Sequence, residues 1–97
     1  MTILVATASR HGSTRRVGEV VTQTLIDAGL DVVHSDVSEV SLDQARRSAA
    51  VIVGGAIYTG TWLATATELF ERVRATGVPT FSFAVGVKKL MRWPVLP

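Results

Sequence analysis

The chain has no cysteine, few prolines (3) and few aromatic side chains (6%). Without cysteine there are no disulfides, no thiolate metal sites and no thiol nucleophile, and nothing calls for an oxidising compartment. No apolar run approaches the ~20 residues that a bilayer span needs, and the N-terminus lacks the basic and long apolar regions of a secretory signal. The expectation is a cytoplasmic protein with no membrane span. Acidic residues are interspersed through most of the chain, so the mild net charge of +2 does not form the basic stripe of a nucleic-acid binder. The exception is Lys88 to Pro97, which carries cations, one tryptophan and two prolines but no carboxylate.

What is present suits one small domain: 97 residues, 47% of them hydrophobic, enough for a modest core. Short continuous apolar runs alternate with longer stretches of helical period, the pattern of buried parallel strands and amphipathic crossover helices. Thr2 to Thr7 reads as the first strand. Ser13 to Ala28 reads as a helix with Val17, Val20, Val21, Thr24, Leu25 and Ala28 on its apolar side and an Arg15–Glu19 pair, ended by Gly29. Leu30 to His34 is the second strand, Ser41 caps a short helix from Leu42 to Arg47, and Ala50 to Gly54 is the third strand. Gly55 to Thr61 reads as a loop, Trp62 to Thr76 as a helix burying Leu63, Ala66, Leu69, Phe70 and Val73, and Pro79 to Val85 as the fourth strand. Right-handed crossovers fold this β-α-β-α-β-α-β series into a doubly wound parallel α/β sheet. Strand order 2-1-3-4 places the first helix on one face and the other two on the opposite face.

In such sheets ligands bind beyond the carboxyl ends of the strands where the order reverses, here between the first and third strands. The loops at that point are Ala8 to Thr14 and Gly55 to Thr61. In the first, Gly12 allows close backbone approach, Ser9, Ser13 and Thr14 offer hydroxyls, and the following helix adds free N–H groups and its positive dipole end. That composition suits a phosphate; equally, Ser13 or Thr14 serves simply as the helix N-cap with Gly12 in the turn. No Gly-Lys-Ser/Thr follows, and the spaced glycines of a dinucleotide fingerprint are missing. Strands one and three also lack the terminal carboxylates of a phospho-acceptor domain.

The string "SRHGST" resembles the FMN-phosphate loop of the flavodoxin superfamily, with Ser9, Gly12 and Thr14 at the matching positions. The longer strings "ATASRHGSTRRVGEVV" and "VIVGGAIYTGTW" look most like the branch that includes menaquinone-dependent protoporphyrinogen IX dehydrogenase, over Met1 to Val87. The resemblance implies a flavodoxin-like fold and an FMN-dependent oxidoreductase acting on a small-molecule substrate or a quinone. By the same resemblance Ser9, Arg10, His11, Gly12, Ser13 and Thr14 hold the FMN phosphate. Ala56, Ile57, Tyr58, Thr59 and Gly60 then line the isoalloxazine, with Tyr58 as the stacking ring, whereas Trp62 is expected to pack on its own helix and His34 to be structural. A pI near 9.7 departs from the acidic character of electron-carrier flavodoxins and favours the enzyme-like branch.

Two further departures shape the expectations. Thr7 stands where flavodoxins usually have an aromatic residue. Complete family members also continue past the fourth strand with a third flavin loop, a fifth strand and final helices, so residues 1–87 are expected to form a shortened domain and residues 88–97 an irregular basic tail. Alternate residues among Val51, Val53, Phe81, Phe83 and Val85 would then meet solvent, and the tail or a homodimer partner would shield them. A rival reading is a non-catalytic module that keeps the loop but no longer binds FMN, surviving as an interaction piece or a decayed fragment.

Overall fold

The computed structural model describes residues 1–9, 12–58 and 60–86, with backbone alone for Tyr58. The strands are β1 (Thr2–Ala8), β2 (Asp31–Asp36), β3 (Ala50–Tyr58), β4 (Thr61–Trp62) and β5 (Thr80–Val85), and the helices are α1 (Ser13–Asp27), α2 (Leu42–Arg46) and α3 (Ala64–Arg74). A 3-10 turn, Val37–Glu39, precedes α2. The four long strands pair in parallel in the order β2-β1-β3-β5, which is the expected 2-1-3-4 order. The two-residue β4 is an addition: it folds back antiparallel on the end of β3, pairing Ile57 with Trp62 and Tyr58 with Thr61. Residues 55–58, expected in a loop, thus continue β3: Gly55 and Ala56 pair with Ala84 and Val85 of β5, and the hairpin takes up Ile57 and Tyr58. The proposed tail, 88–97, lies outside the described residues.

In-register parallel partners share a face, so the pairings Leu4↔Val51 and Val53↔Ala6 define one side of the sheet. Leu4, Ala6, Ala8, Val51 and Val53 there meet Ala45 of α2 and Ala66, Leu69 and Val73 of α3, forming the main core. Burying each such Val or Leu contributes about 1.5–3 kcal/mol before entropic losses. Ser41 Oγ accepts from the Gln44 N–H at 3.1 Å and starts α2 as expected.

The opposite face carries Val5, Thr7, His34, Ile52, Gly54, Phe81 and Phe83, and among the described residues α1 is the helix that covers it. There the structure corrects the expected apolar side of the helix. Thr14 and Gly18 are the buried residues of α1, while Val17 and Val20 are exposed (37% and 65%). The small side chains decide the rotation: Gly18 lets the helix settle on Thr7 and His34, so the contact line runs through Thr14 and Gly18 to half-buried Val21 and Leu25, and leaves Val17 and Val20 outside. The expected Arg15–Glu19 ion pair is not formed; among the described residues the ion pairs are Arg46–Asp43 and Arg74–Glu71, both exposed. The expectation for the sheet edge is half right. Val51 and Val53 are fully buried under α3, but Phe81 on the α1 side is 57% exposed, beside half-buried Phe83 and Val85.

Candidate functional site

β1 and β3 lie side by side, with Ala8↔Gly55 as their last registered pair, so the chain leaves both strands at the same edge. From β1 it crosses through α1 to β2 on one flank, and from β3 through α3 to β5 on the other. The crevice between these diverging connections is where the order reverses.

The first wall of the crevice is the start of α1. Gly12 is its N-cap, with φ 87° and ψ −10°, a left-handed conformation that a Cβ would strain. No side chain caps the helix, so the structure removes the alternative in which Ser13 or Thr14 caps it. The Gly12 carbonyl accepts the first helical bond from Arg16 N–H at 3.0 Å, and the amides before Arg16 have no intrahelical acceptor. The first turn contains no acidic residue, and beyond its chain neighbours a Cβ at Gly12 would meet no described atom within 4 Å. Ser9 Oγ accepts from the Gly12 N–H at 2.8 Å, which leaves the hydroxyl proton of Ser9 free to donate elsewhere. Ser13 is exposed, whereas Thr14 is fully buried and its hydroxyl finds no partner among the described residues. Arg10 and His11 lie outside the described residues.

The second wall is the end of β3. Ala56 is 5% exposed and its carbonyl accepts from Leu63 N–H at 2.9 Å; Ile57 is half-buried. Gly60 closes the hairpin exposed to solvent, with φ 79°. Thr59 and the side chain of Tyr58 lie outside the described residues. Trp62 stands on the α3 side of the sheet over Gly55, where an added Cβ would come within 2.5 Å of Nε1. Its ring meets Phe70 edge to face at 5.9 Å and 74°; the residue expected to open the helix stands instead in β4, two residues before α3, and packs on that helix from the strand.

Beside the crevice, sequence reasoning missed one cluster. His34 Nε2 and Thr7 Oγ1 are 3.0 Å apart beneath Gly18. They border a cavity of about 430 Å³ that also touches Arg15, Glu19, Asp36 and Glu39. Burial holds the His34 imidazole below its usual pKa, with Arg15 acting in the same sense and Glu19 and Asp36 opposing it. The signal was present in the parallel register, which sets His34 beside Val5 and one step from Thr7, but only the strand pairing reveals it. Among the described residues no group of three or more metal-ligating side chains is assembled, and no helix is long and apolar enough to cross a membrane.

Comparison with known proteins agrees with this geometry. The family described as flavodoxin domain matches residues 4–90. A flavodoxin from the domain Archaea superposes with a TM-score of 0.72 at 20% identity, covering 78% of this chain and 53% of that one. Oxidised flavodoxin 2 from Bacillus cereus gives 0.73 at 19% identity, covering 89% and 62%. The flavodiiron protein from Giardia intestinalis gives 0.73 at 17% identity, covering 88% of this chain and 23% of that one. The chain therefore spans about half to three-fifths of the length of these flavodoxins. No curated protein sequence matches the chain.

Proposed function

The chain belongs to the flavodoxin-domain family, whose cofactor is FMN, and on that premise we propose that the β1/β3 crevice binds FMN non-covalently in a redox reaction. The observation that carries this reading is the start of α1 at Gly12, placed at the switch point with no side-chain cap and no acidic residue in its first turn among the described residues. A phosphate there gains backbone N–H donors, the helix dipole and the Ser9 and Ser13 hydroxyls. The residues present fit the group. An unsatisfied buried hydroxyl costs about 1–3 kcal/mol, and Thr14 Oγ1, which has no partner among the described residues, is such a group in the same helical turn.

Bound FMN supplies the electron-transfer chemistry. The protein binds, orients and shields. The helix start fixes the phosphate, the Ala56–Gly60 hairpin forms the wall beside the ring, and buried Ala56 keeps that wall apolar. By family resemblance Arg10 and His11 complete the phosphate loop, and Tyr58 and Thr59 complete the flavin wall. By the same resemblance the activity belongs to the oxidoreductase branch related to protoporphyrinogen oxidation. Its electron acceptor is a quinone or similar small molecule and its setting the cytoplasm, and exposed Phe81 with its neighbours offers a face for a homodimer. A basic pI near 9.7 supports the enzyme-like branch over an acidic electron carrier.

The test compares FMN with riboflavin. If the helix start holds the phosphate, FMN binds at least about tenfold tighter than riboflavin, the difference one charge-assisted contact supplies. Equal affinities would remove the phosphate role of residues 9–14, and binding of neither would favour the non-catalytic module.

A further inference from the structure

Gly18 is the closest approach of α1 to the sheet. An added Cβ there would stand 2.6 Å from Thr7 Cγ2, 2.8 Å from His34 Nε2 and 3.0 Å from His34 Cε1. The floor beneath the helix is thus a Thr methyl and an imidazole edge, locked to each other at 3.0 Å. Thr7 is 2% exposed and lies two residues before Ser9, and Gly18 lies one turn beyond Thr14. The same two residues that seat the helix therefore adjoin the anion loop on both its strand and its helix side.

On its other side the imidazole borders the cavity of about 430 Å³. The charged groups facing it are Arg15 and Glu19 from α1, Asp36 from the end of β2 and Glu39 from the 3-10 turn. Asp36 already accepts from the Ser38 N–H and hydroxyl, while Glu19 and Glu39 form no ion pair with a described residue. A neutral ring fits the site beneath Gly18, where it exchanges one hydrogen bond with Thr7 and is covered by the helix. An imidazolium is favoured by the cavity that the ring borders, where Glu19, Asp36 and Glu39 outnumber Arg15.

We propose that His34 is a positioning residue for the anion loop: engaged with Thr7 it seats the first turns of α1, and on protonation it turns into the acid-bordered cavity, releasing that seat and weakening anion binding at the helix start. In its effect on FMN this rests on the function proposed above; in its effect on the helix start it stands alone. Burial of the neutral ring is consistent with it, since the folded protein resists charging His34.

The experiment has two readouts. In the cofactor-free protein, NMR follows the His34 ring and the amides of Gly12, Ser13 and Thr14 from about pH 7.5 to 5.5, across the ordinary imidazole range. The amides are expected to shift with the midpoint of the His34 ring, and to lose that midpoint in His34→Gln, which keeps a hydrogen-bonding amide but cannot titrate. Should His34→Gln fail to fold, Thr7→Val serves instead: His34 still titrates but the amides no longer follow it. Amides that ignore His34 in the unaltered protein overturn the proposal.

The second readout is FMN affinity over the same range. The FMN phosphate itself gains a proton near pH 6, so the quantity read is the ratio of wild-type to His34→Gln dissociation constants. That ratio is expected to rise about fivefold on acidification, and by reciprocity bound FMN lowers the His34 midpoint by the same factor. A ratio that stays flat, or falls as attraction by a fixed imidazolium would make it, overturns the proposal. If FMN does not bind at all, the functional assignment has failed and the amide titration alone decides this one.

Discussion

The Gly12 amide donates to Ser9 Oγ at 2.8 Å, closing the loop on itself just before α1 begins. Among the described residues, the helical amides that follow, up to Arg15, have no backbone acceptor. Ser9→Ala strips Gly12 of its acceptor in a part-buried site and is expected to cost about 1 kcal/mol of stability. FMN affinity falls several-fold with it, and Ser9→Thr restores both, as read by thermal melting and flavin titration.

Thr14 behaves in the opposite way. Its hydroxyl is buried without a described partner, so Thr14→Val removes an unsatisfied group while keeping the volume. The cofactor-free protein is expected to melt at the same temperature or higher, while FMN binding weakens by about tenfold through loss of one hydrogen bond to a charged group. A variant that melts lower yet binds FMN unchanged would show that the hydroxyl serves the fold.

Much of this was legible in the residues, and the exceptions have physical causes. Strand order and the sides taken by the helices follow from apolar runs and crossover handedness, and both are observed. Ser41 and the buried face of α3 were equally readable because cap and period are local signals. The apolar side of α1 was not, since periodicity favours valines while the contact is made where Gly18 permits close approach. Residues 55–58 read as a loop in the sequence; in the fold Gly55 makes room for Trp62, and Gly60, with φ 79°, lies in the turn. The Thr7–His34 contact depends on strand register, which no single segment contains.

Two glycines on the same face predict contrasting outcomes. At Gly18 the obstructing atoms belong to Thr7 and His34, short side chains bonded to each other, so Gly18→Ala must lift α1. The overpacking cost of about 1–3 kcal/mol exceeds the roughly 1 kcal/mol gained in helix propensity, leaving a net loss. At Gly54 an added Cβ meets the ring of Phe83, a half-buried side chain on the last strand of the sheet that has room to turn among the described residues. Denaturant unfolding of both variants is expected to show Gly18→Ala as the more destabilised, with weaker FMN binding as well.

Acid should destabilise the cofactor-free protein through His34. Burial holds its folded pKa below the ordinary imidazole value of 6.5, so between the two values the unfolded chain binds more protons than the folded one. Stability contributed by the neutral ring is therefore complete above about pH 6.5 and is lost as pH falls toward the folded pKa. Melting temperatures of the unaltered protein and His34→Gln, compared across that window, are expected to diverge on acidification.

The central claim is that these walls bind FMN, and a titration of the 97-residue protein with FMN tests it most directly, following flavin fluorescence and melting temperature together. The account predicts saturable quenching, with a melting temperature that rises with FMN concentration as binding to the folded state requires. A folded protein that neither quenches the flavin nor gains stability would contradict it.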